Sequence, residues 1–311
     1  FGAGPRVCVG AQFALQRRFR AALVGPPQPP LRLRLGRARP LVEAAVWAAV
    51  TGMLILPMAA LIATALVRTY GLPLTLETLT FGNFREILLE QSVTARAFAN
   101  STLAAGTAAA LLALIAAGLG RFLGDMRGPQ RRAAAATATV ADIAYAVPGI
   151  VLSIAFILAF LRPIPILGVS LYGTLWIIVL AYLAAFLSIA LKPVSAAYAA
   201  LDPTLDDAAR VCGAGFGMRM RRVSLPLVAP AAASGAILVF LTAYNEITVS
   251  ALLWSSGTET IGATIFNYED GGYTTLAAAM SAVTVMATVL IMLGLHLLGR
   301  RLPPGVAPWR D

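Results

Sequence analysis

The chain has 311 residues, of which 59% are hydrophobic and only 12% charged, and its mean hydropathy is +0.80. Soluble domains carry about 25% charged residues, so 24 Lys and Arg with 14 Asp and Glu are too few to coat a globule. That excludes an ordinary soluble domain and a disordered chain, and leaves a polytopic membrane protein.

Crossing a hydrocarbon core takes about 20 apolar residues in a helix, and six stretches qualify: 41–67, 97–123, 133–161, 171–191, 227–254 and 274–299. Lipid satisfies no backbone N–H or C=O, so each is predicted to be helical. The expected fold class is all-α, a six-helix transmembrane domain over 41–299. It is preceded by a segment at 1–40 and followed by a short tail at 300–311. Pro57 and Pro148-Gly149 fall inside spans, where neighbouring helices compensate lost bonds. The first forty residues are arginine-rich and lack the apolar core of a signal peptide. The start at Phe1 and the stiff linker Pro26-Pro27-Gln28-Pro29-Pro30 predict a chain cut from a longer form.

With the N-terminal segment placed in the cytosol and the six spans alternating, 20 of the 24 Lys and Arg residues fall inside. Only Arg68, Arg85, Arg96 and Arg162 fall outside, where Glu77, Glu86, Glu90, Glu259, Glu269 and Asp270 leave a negative balance. This is the positive-inside pattern. The net charge of +10 therefore records topology, and nucleic acid is not among the expected partners.

The cytosolic loop 192–226 is the longest polar interruption. Asp202-Pro203 reads as an N-cap followed by proline at the first helical position. Asp206 and Asp207 lie in the first turns, where the helix dipole favours acids. Gly213 is a helix stop. A second short helix is expected over 216–223, with Pro226 ending it. The glycine-rich joint and small side chains suit close approach by another protein.

Asp207-Ala208-Ala209, three residues, Gly213, nine residues, Val223, one residue and Leu225-Pro226 form a complete spaced pattern. It resembles the coupling motif of bacterial ABC importer permeases, with Asp207 where Glu is usual and Val223 where Ile is usual. The resemblance runs from about Pro30 to Asp311. It includes Asn100-Ser101-Thr102-Leu103 and Ala146-Val147-Pro148-Gly149-Ile150-Val151, expected at the opening of the second span and inside the third. Tyr172-Gly173-Thr174, Asn245-Glu246-Ile247-Thr248-Val249-Ser250 and Ser255-Ser256-Gly257-Thr258-Glu259-Thr260 carry it further. Within the family the likeness is to the ferric-iron, 2-aminoethylphosphonate and polyamine group, and the sequence resembles the C-terminal half of a two-half iron permease.

The resemblance implies a bacterial inner-membrane, multi-pass subunit with both termini cytosolic. It implies docking of Asp207, Ala208, Ala209, Gly213, Val223, Leu225 and Pro226 on a dimer of separate ABC ATPase subunits. It also implies a second permease half (fused upstream, a homologous chain or a second copy) and a periplasmic solute-binding protein. The solute would be ferric iron or 2-aminoethylphosphonate, with polyamine or thiamine as further options. ATP would be used by the partner subunit, with no cofactor on this chain.

Charged groups inside a membrane are costly and mark functional sites. Asp142 and Glu246, with Asn245 beside it, are candidates for lining a translocation path or pairing across helices. The alternative is that Glu246 caps a helix break or bonds a neighbour's backbone without touching solute. Tyr268-Glu269-Asp270 reads as a solvated turn. No Gly-Lys-Ser/Thr phosphate loop occurs, and a single His supports neither a metal cluster nor a catalytic base. The chain is thus read as a transport subunit with no catalytic residue. Phe1, Gly4, Arg6, Cys8 and Gly10 resemble the cysteine-ligand loop of haem-thiolate monooxygenases over the first 25 residues. Two rival readings follow: an ion-driven secondary transporter, hinted at by Pro148-Gly149, and a haem-thiolate redox protein built on Cys8.

Overall fold

A computed structural model describes residues 36–125, 129–163, 168, 170–299 and 306. The Cys8 loop, the proline-rich linker and nearly all of the 300–311 tail lie outside them. The chain divides into two compact units, Phe1–Leu54 and Ile55–Asp311. In the first, the described residues begin α1 (Arg39–Ala65), where Arg39 Nε meets Glu43 Oε1 at 2.7 Å one turn on.

In the second unit, α1 ends at Ala65, and the buried Asn83 donates to the carbonyls of Ala65 (2.9 Å) and Val67 (2.8 Å). Then come α2 (Ser92–Asp125), α3 (Pro129–Ala146), α4 (Gly149–Phe160), α5 (Leu175–Ala200) and α6 (Pro203–Val211). They are followed by α7 (Leu225–Tyr244), α8 (Ile261–Asp270) and α9 (Thr274–Gly299). Among the described residues the fold is all-α, with one isolated antiparallel bridge between Val67 and Leu79. Five helices are long and apolar enough to cross a membrane, and a sixth is obtained if α3 and α4, bent by 113°, count as one broken span.

The centre of the second unit is the packing of α2, α5 and α7. The buried stripe of α2 is made of small residues, Ala97, Ala104, Ala105, Ala108 and Ala116, with Leu112 among them. Small side chains let helix backbones approach closely, which is how helices associate in lipid. Ile177, Ile178, Ala181, Tyr182 and Ala185 fill the facing side of α5.

Several boundaries differ from expectation. The fourth span starts at Leu175 instead of 171 and runs to Ala200, past 191 and through Pro193, so the polar loop expected from 192 begins only after residue 200. The second span begins at Ser92 instead of 97, because Arg96 anchors the polar first turn through Ser92 Oγ at 3.3 Å and Glu259 at 3.5 Å. Asn100-Ser101 therefore sits inside a helix and does not open one. The third span is broken at Val147-Pro148, where proline forbids a continuous ladder. The fifth stops at Tyr244, leaving 245–249 irregular before a helical turn at Ser250–Leu253. Tyr268-Glu269-Asp270, read as a turn, closes helix α8.

Candidate functional site

The loop after α5 is built from its caps. Asp202 adopts an extended backbone, and its carboxylate accepts from the Thr204 N–H at 2.9 Å, with Pro203 in the first helical position. Hydrogen bonds from the backbone and side chain of Thr204 hold the Asp202 carboxyl below the usual range. At the other end of α6, Gly213 takes φ +78°, the left-handed conformation that glycine adopts without steric cost. Gly213 N–H donates to Arg210 O (2.9 Å) and Ala214 N–H to Ala209 O (3.0 Å). These paired bonds are a Schellman end. The expected helix and its stop are both present.

The next segment corrects one expectation. Phe216–Arg219 does not end at Pro226. It widens into a π-turn over Met220–Ser224 and runs straight into α7, a continuous helix of 29 residues from Phe216 to Tyr244. Proline clashes with the carbonyl four residues back and offers it no N–H. Here Leu225 N–H reaches back to Met220 O, an i→i−5 bond, so the helix is already widened where Pro226 enters.

Asp207, Ala208, Val211, Cys212 and Gly213 all lie on exposed surface, while Ala209 and Val223 are half-buried and Leu225 and Pro226 are at the exposed edge of α7. Asp207 meets Arg210 only at 3.7 Å. The side chain that turns inward is its neighbour Asp206, 7% exposed. It receives Arg121 Nη2 of α2 at 2.8 Å, Arg210 Nη2 at 3.0 Å and Arg219 Nη1 at 3.2 Å. Sequence reading gave Asp206 only a helix-dipole role. The pairing with Arg210 was legible at i,i+4, but Arg121 stands 85 residues away.

At the breaks, Glu246 makes the contacts of a cap. Its carboxylate accepts from Val249 N–H (2.6 Å), Ser250 N–H (3.1 Å) and Thr248 Oγ1 (2.7 Å), capping the turn Ser250–Leu253. The Tyr182 hydroxyl of α5 adds a contact at 3.4 Å. Asn245 is also engaged: its amide donates to Leu241 O at 2.9 Å and accepts from Thr288 of α9 at 3.1 Å. Asp142 accepts from Ser188 of α5. Asp142 and Glu246 are thus each tied to α5, at positions 188 and 182.

A knot of loop and helix forms around 255–262. Asn100 of α2 donates to the carbonyls of Gly257 (3.1 Å) and Glu259 (2.9 Å), and Ser101 Oγ accepts from Ile261 N–H at 2.9 Å. Two of the motifs quoted above, far apart in sequence, therefore meet. Burial raises the Glu259 carboxyl, but the N–H groups of Gly257 and Glu259 and the Arg96 guanidinium outweigh it and hold it low. Glu246 joins the knot by its backbone. A Cβ on Gly262 would lie 2.1 Å from Glu246 O and 2.7 Å from Ile247 Cα, so only glycine fits there.

Among the described residues no group of three or more His, Cys, Asp and Glu side chains is placed to hold a metal. Cys8 lies outside them.

Comparison with known proteins matches this architecture. The family model for the binding-protein-dependent transport system inner membrane component covers residues 116–308. A probable ABC transporter permease protein, y4fN, of Sinorhizobium fredii is 31% identical over 54% of this chain and 30% of its own length. A putative 2-aminoethylphosphonate transport system permease protein, PhnV, of Salmonella typhimurium is 27% identical over 50% of this chain and 58% of its own. A putative ABC transporter permease protein of Streptomyces antibioticus is 29% identical over 73% of this chain and 95% of its own. The chain thus spans 30% of the first of these relatives and 58% of the second. A subunit in the crystal structure of a bacterial alginate ABC transporter, bound to its periplasmic protein, superposes with a TM-score of 0.67 at 16% identity. That superposition covers 85% of this chain and 95% of that one, a likeness of fold. By the match over 116–308, on the helices that carry the 202–226 loop, the chain belongs to the family of binding-protein-dependent transport system inner membrane components.

Proposed function

We propose that the chain is the transmembrane permease subunit of an ATP-driven ABC importer, forming half of a translocation path. The observation that carries this reading is the loop after α5. A short helix, capped at both ends, presents Asp207, Ala208 and Gly213 on exposed surface at the positions of the coupling motif. Two rigid ends suit a contact that must transmit motion, since a floppy loop would absorb it. In this reading a dimer of separate ATPase subunits grips the loop and hydrolyses ATP. A second permease half encloses the path, a periplasmic binding protein delivers solute, and this chain carries no cofactor and no catalytic residue. The distribution of Lys and Arg supports an inner-membrane orientation with both termini and the loop in the cytosol.

Ferric iron and 2-aminoethylphosphonate are the proposed solutes, and the PhnV relatives favour the phosphonate. The path itself is proposed to run beside α5, along the wall made where the α3–α4 break packs on the stretch 245–249 (Ser153 Oγ to Val249 O, 2.9 Å), with Asp142, Asn245 and Glu246 holding that wall. Broken spans also occur in ion-driven transporters. Uptake into ATP-free vesicles under a proton gradient would favour that rival. The deciding experiment is replacement of Gly213 by Trp. ATPase co-purification is expected to fail in that variant, and unchanged ATPase binding with unchanged uptake would overturn the proposal.

A further inference from the structure

We infer that Asp206, through Arg121 and Arg219, is the positioning residue that carries movement of α6 into the helix bundle. The inference rests on the coupling role proposed above and names the link that role requires. Of the described side chains of α6, Asp206 alone is buried, while Thr204, Leu205, Asp207, Ala208, Arg210 and Val211 are exposed and Ala209 is half-buried. Beneath the helix lies a cavity of about 120 Å³, lined by Arg121, Tyr198, Leu205, Asp206 and Val223 among others. The helix therefore does not rest on the bundle through an apolar face. It is joined to α2 by the 2.8 Å contact with Arg121 and to the helix leading into α7 by the 3.2 Å contact with Arg219.

Burying charge is expensive, and a hydrophobic contact of similar volume is often as stable. What the ionic link supplies is direction. Arg121 and Arg219 approach different oxygens of one carboxylate, so a displacement of α6 along or across its axis is passed to two helices at once. A greasy contact over a cavity would slide.

The test uses the full chain with its ATPase subunits in detergent or vesicles, with Cys8 and Cys212 replaced by Ser. A reporter cysteine, Ala95→Cys, is placed on exposed surface in the first turn of α2, ahead of the apolar stretch that begins at 97. Its reaction with a membrane-impermeant maleimide is timed with and without a non-hydrolysable ATP analogue. The expected result is an analogue-dependent change in the parent. In Asp206→Asn, which keeps the shape and loses the charge, that change should shrink at least about fivefold, while ATPase capture stays intact. Asp206→Glu should restore the response, which a merely structural role of the residue would not require. Should Asp206→Asn not reach the membrane, Arg219→Gln keeps the Arg121 contact and should give a partial loss.

An undiminished response in Asp206→Asn, or in Arg219→Gln where that variant replaces it, overturns the inference. So does a parent that captures the ATPase but whose Ala95→Cys rate ignores the analogue. Loss of capture in Asp206→Asn also overturns it, because Asp206 would then shape the docking surface and not transmit from it. If the parent itself captures no ATPase subunit, the coupling reading fails and this inference with it. That outcome is distinguished by the capture measurement alone.

Discussion

The two ends of α2 are built on opposite principles. Near its start, Asn100 and Ser101 fasten the 255–262 knot with three hydrogen bonds to backbone atoms, and Thr260 and Ile261 there are fully buried. Near its end, Arg121 holds α6 by one ionised side chain over a cavity. Asn100 and Arg121 stand about 30 Å apart on the same helix. Backbone-directed bonds fix a loop in one place. A side-chain ion pair ties a helix to its neighbour at one point and passes its displacement on, so one end is an anchor and the other a joint.

That contrast can be broken most severely at Gly262. Gly262→Ala forces a Cβ into the Glu246 carbonyl at 2.1 Å and should cost about 3 kcal/mol, read as a large fall in Tm by fluorescence-detected chromatography. Next, Asn100→Ala strips two carbonyls of their donor and should cost about 1–3 kcal/mol. It should also raise hydrogen exchange at Gly257 and Ile261 while leaving α6 unchanged. If α6 loosened equally, the two ends would not be independent in the resting state.

The smallest effect is acidic. Glu259 titrates below its ordinary value of 4.5, so the stability it lends is fully present above that pH and is lost as pH falls through the lower, folded value. A Tm profile from neutral pH to about pH 3 should fall more steeply at its acid end in the wild type than in Glu259→Gln. The gap should narrow in high salt, since the Arg96 side chain is half exposed.

What could be read from sequence was what is local. The span Thr274–Gly299 is apolar throughout and ends where expected, and the Asp202-Pro203 cap and the Gly213 stop are set by rules reaching only a few residues. The break at 245–249 was hidden because 227–254 is apolar from end to end, and hydropathy does not see a missing hydrogen bond. Helix α8 was hidden because ten residues ending in Tyr268-Glu269-Asp270 are short and half polar. Pro226 misled because its effect depends on the turn before it. Glu246 was legible as a costly charge in either role, but its partners Tyr182, Thr248 and Ser250 had to be seen to show that it caps. The carboxylate at Asp206 was hidden for the same reason: its chief partner lies in another helix.

The π-turn at Met220–Ser224 has a mechanical consequence. Because it carries Phe216–Arg219 into α7 without a stop, the 29 residues to Tyr244 form one lever arm, about 43 Å long. It packs on α2 and α5 and is buried at positions from Val228 to Tyr244, its first turns sit beside Asp206, and its last turn stops at Asn245 and Glu246. A rotation at the first turns would be carried along the whole arm to that tip, where the chain leaves helical form beside the cap on Ser250–Leu253.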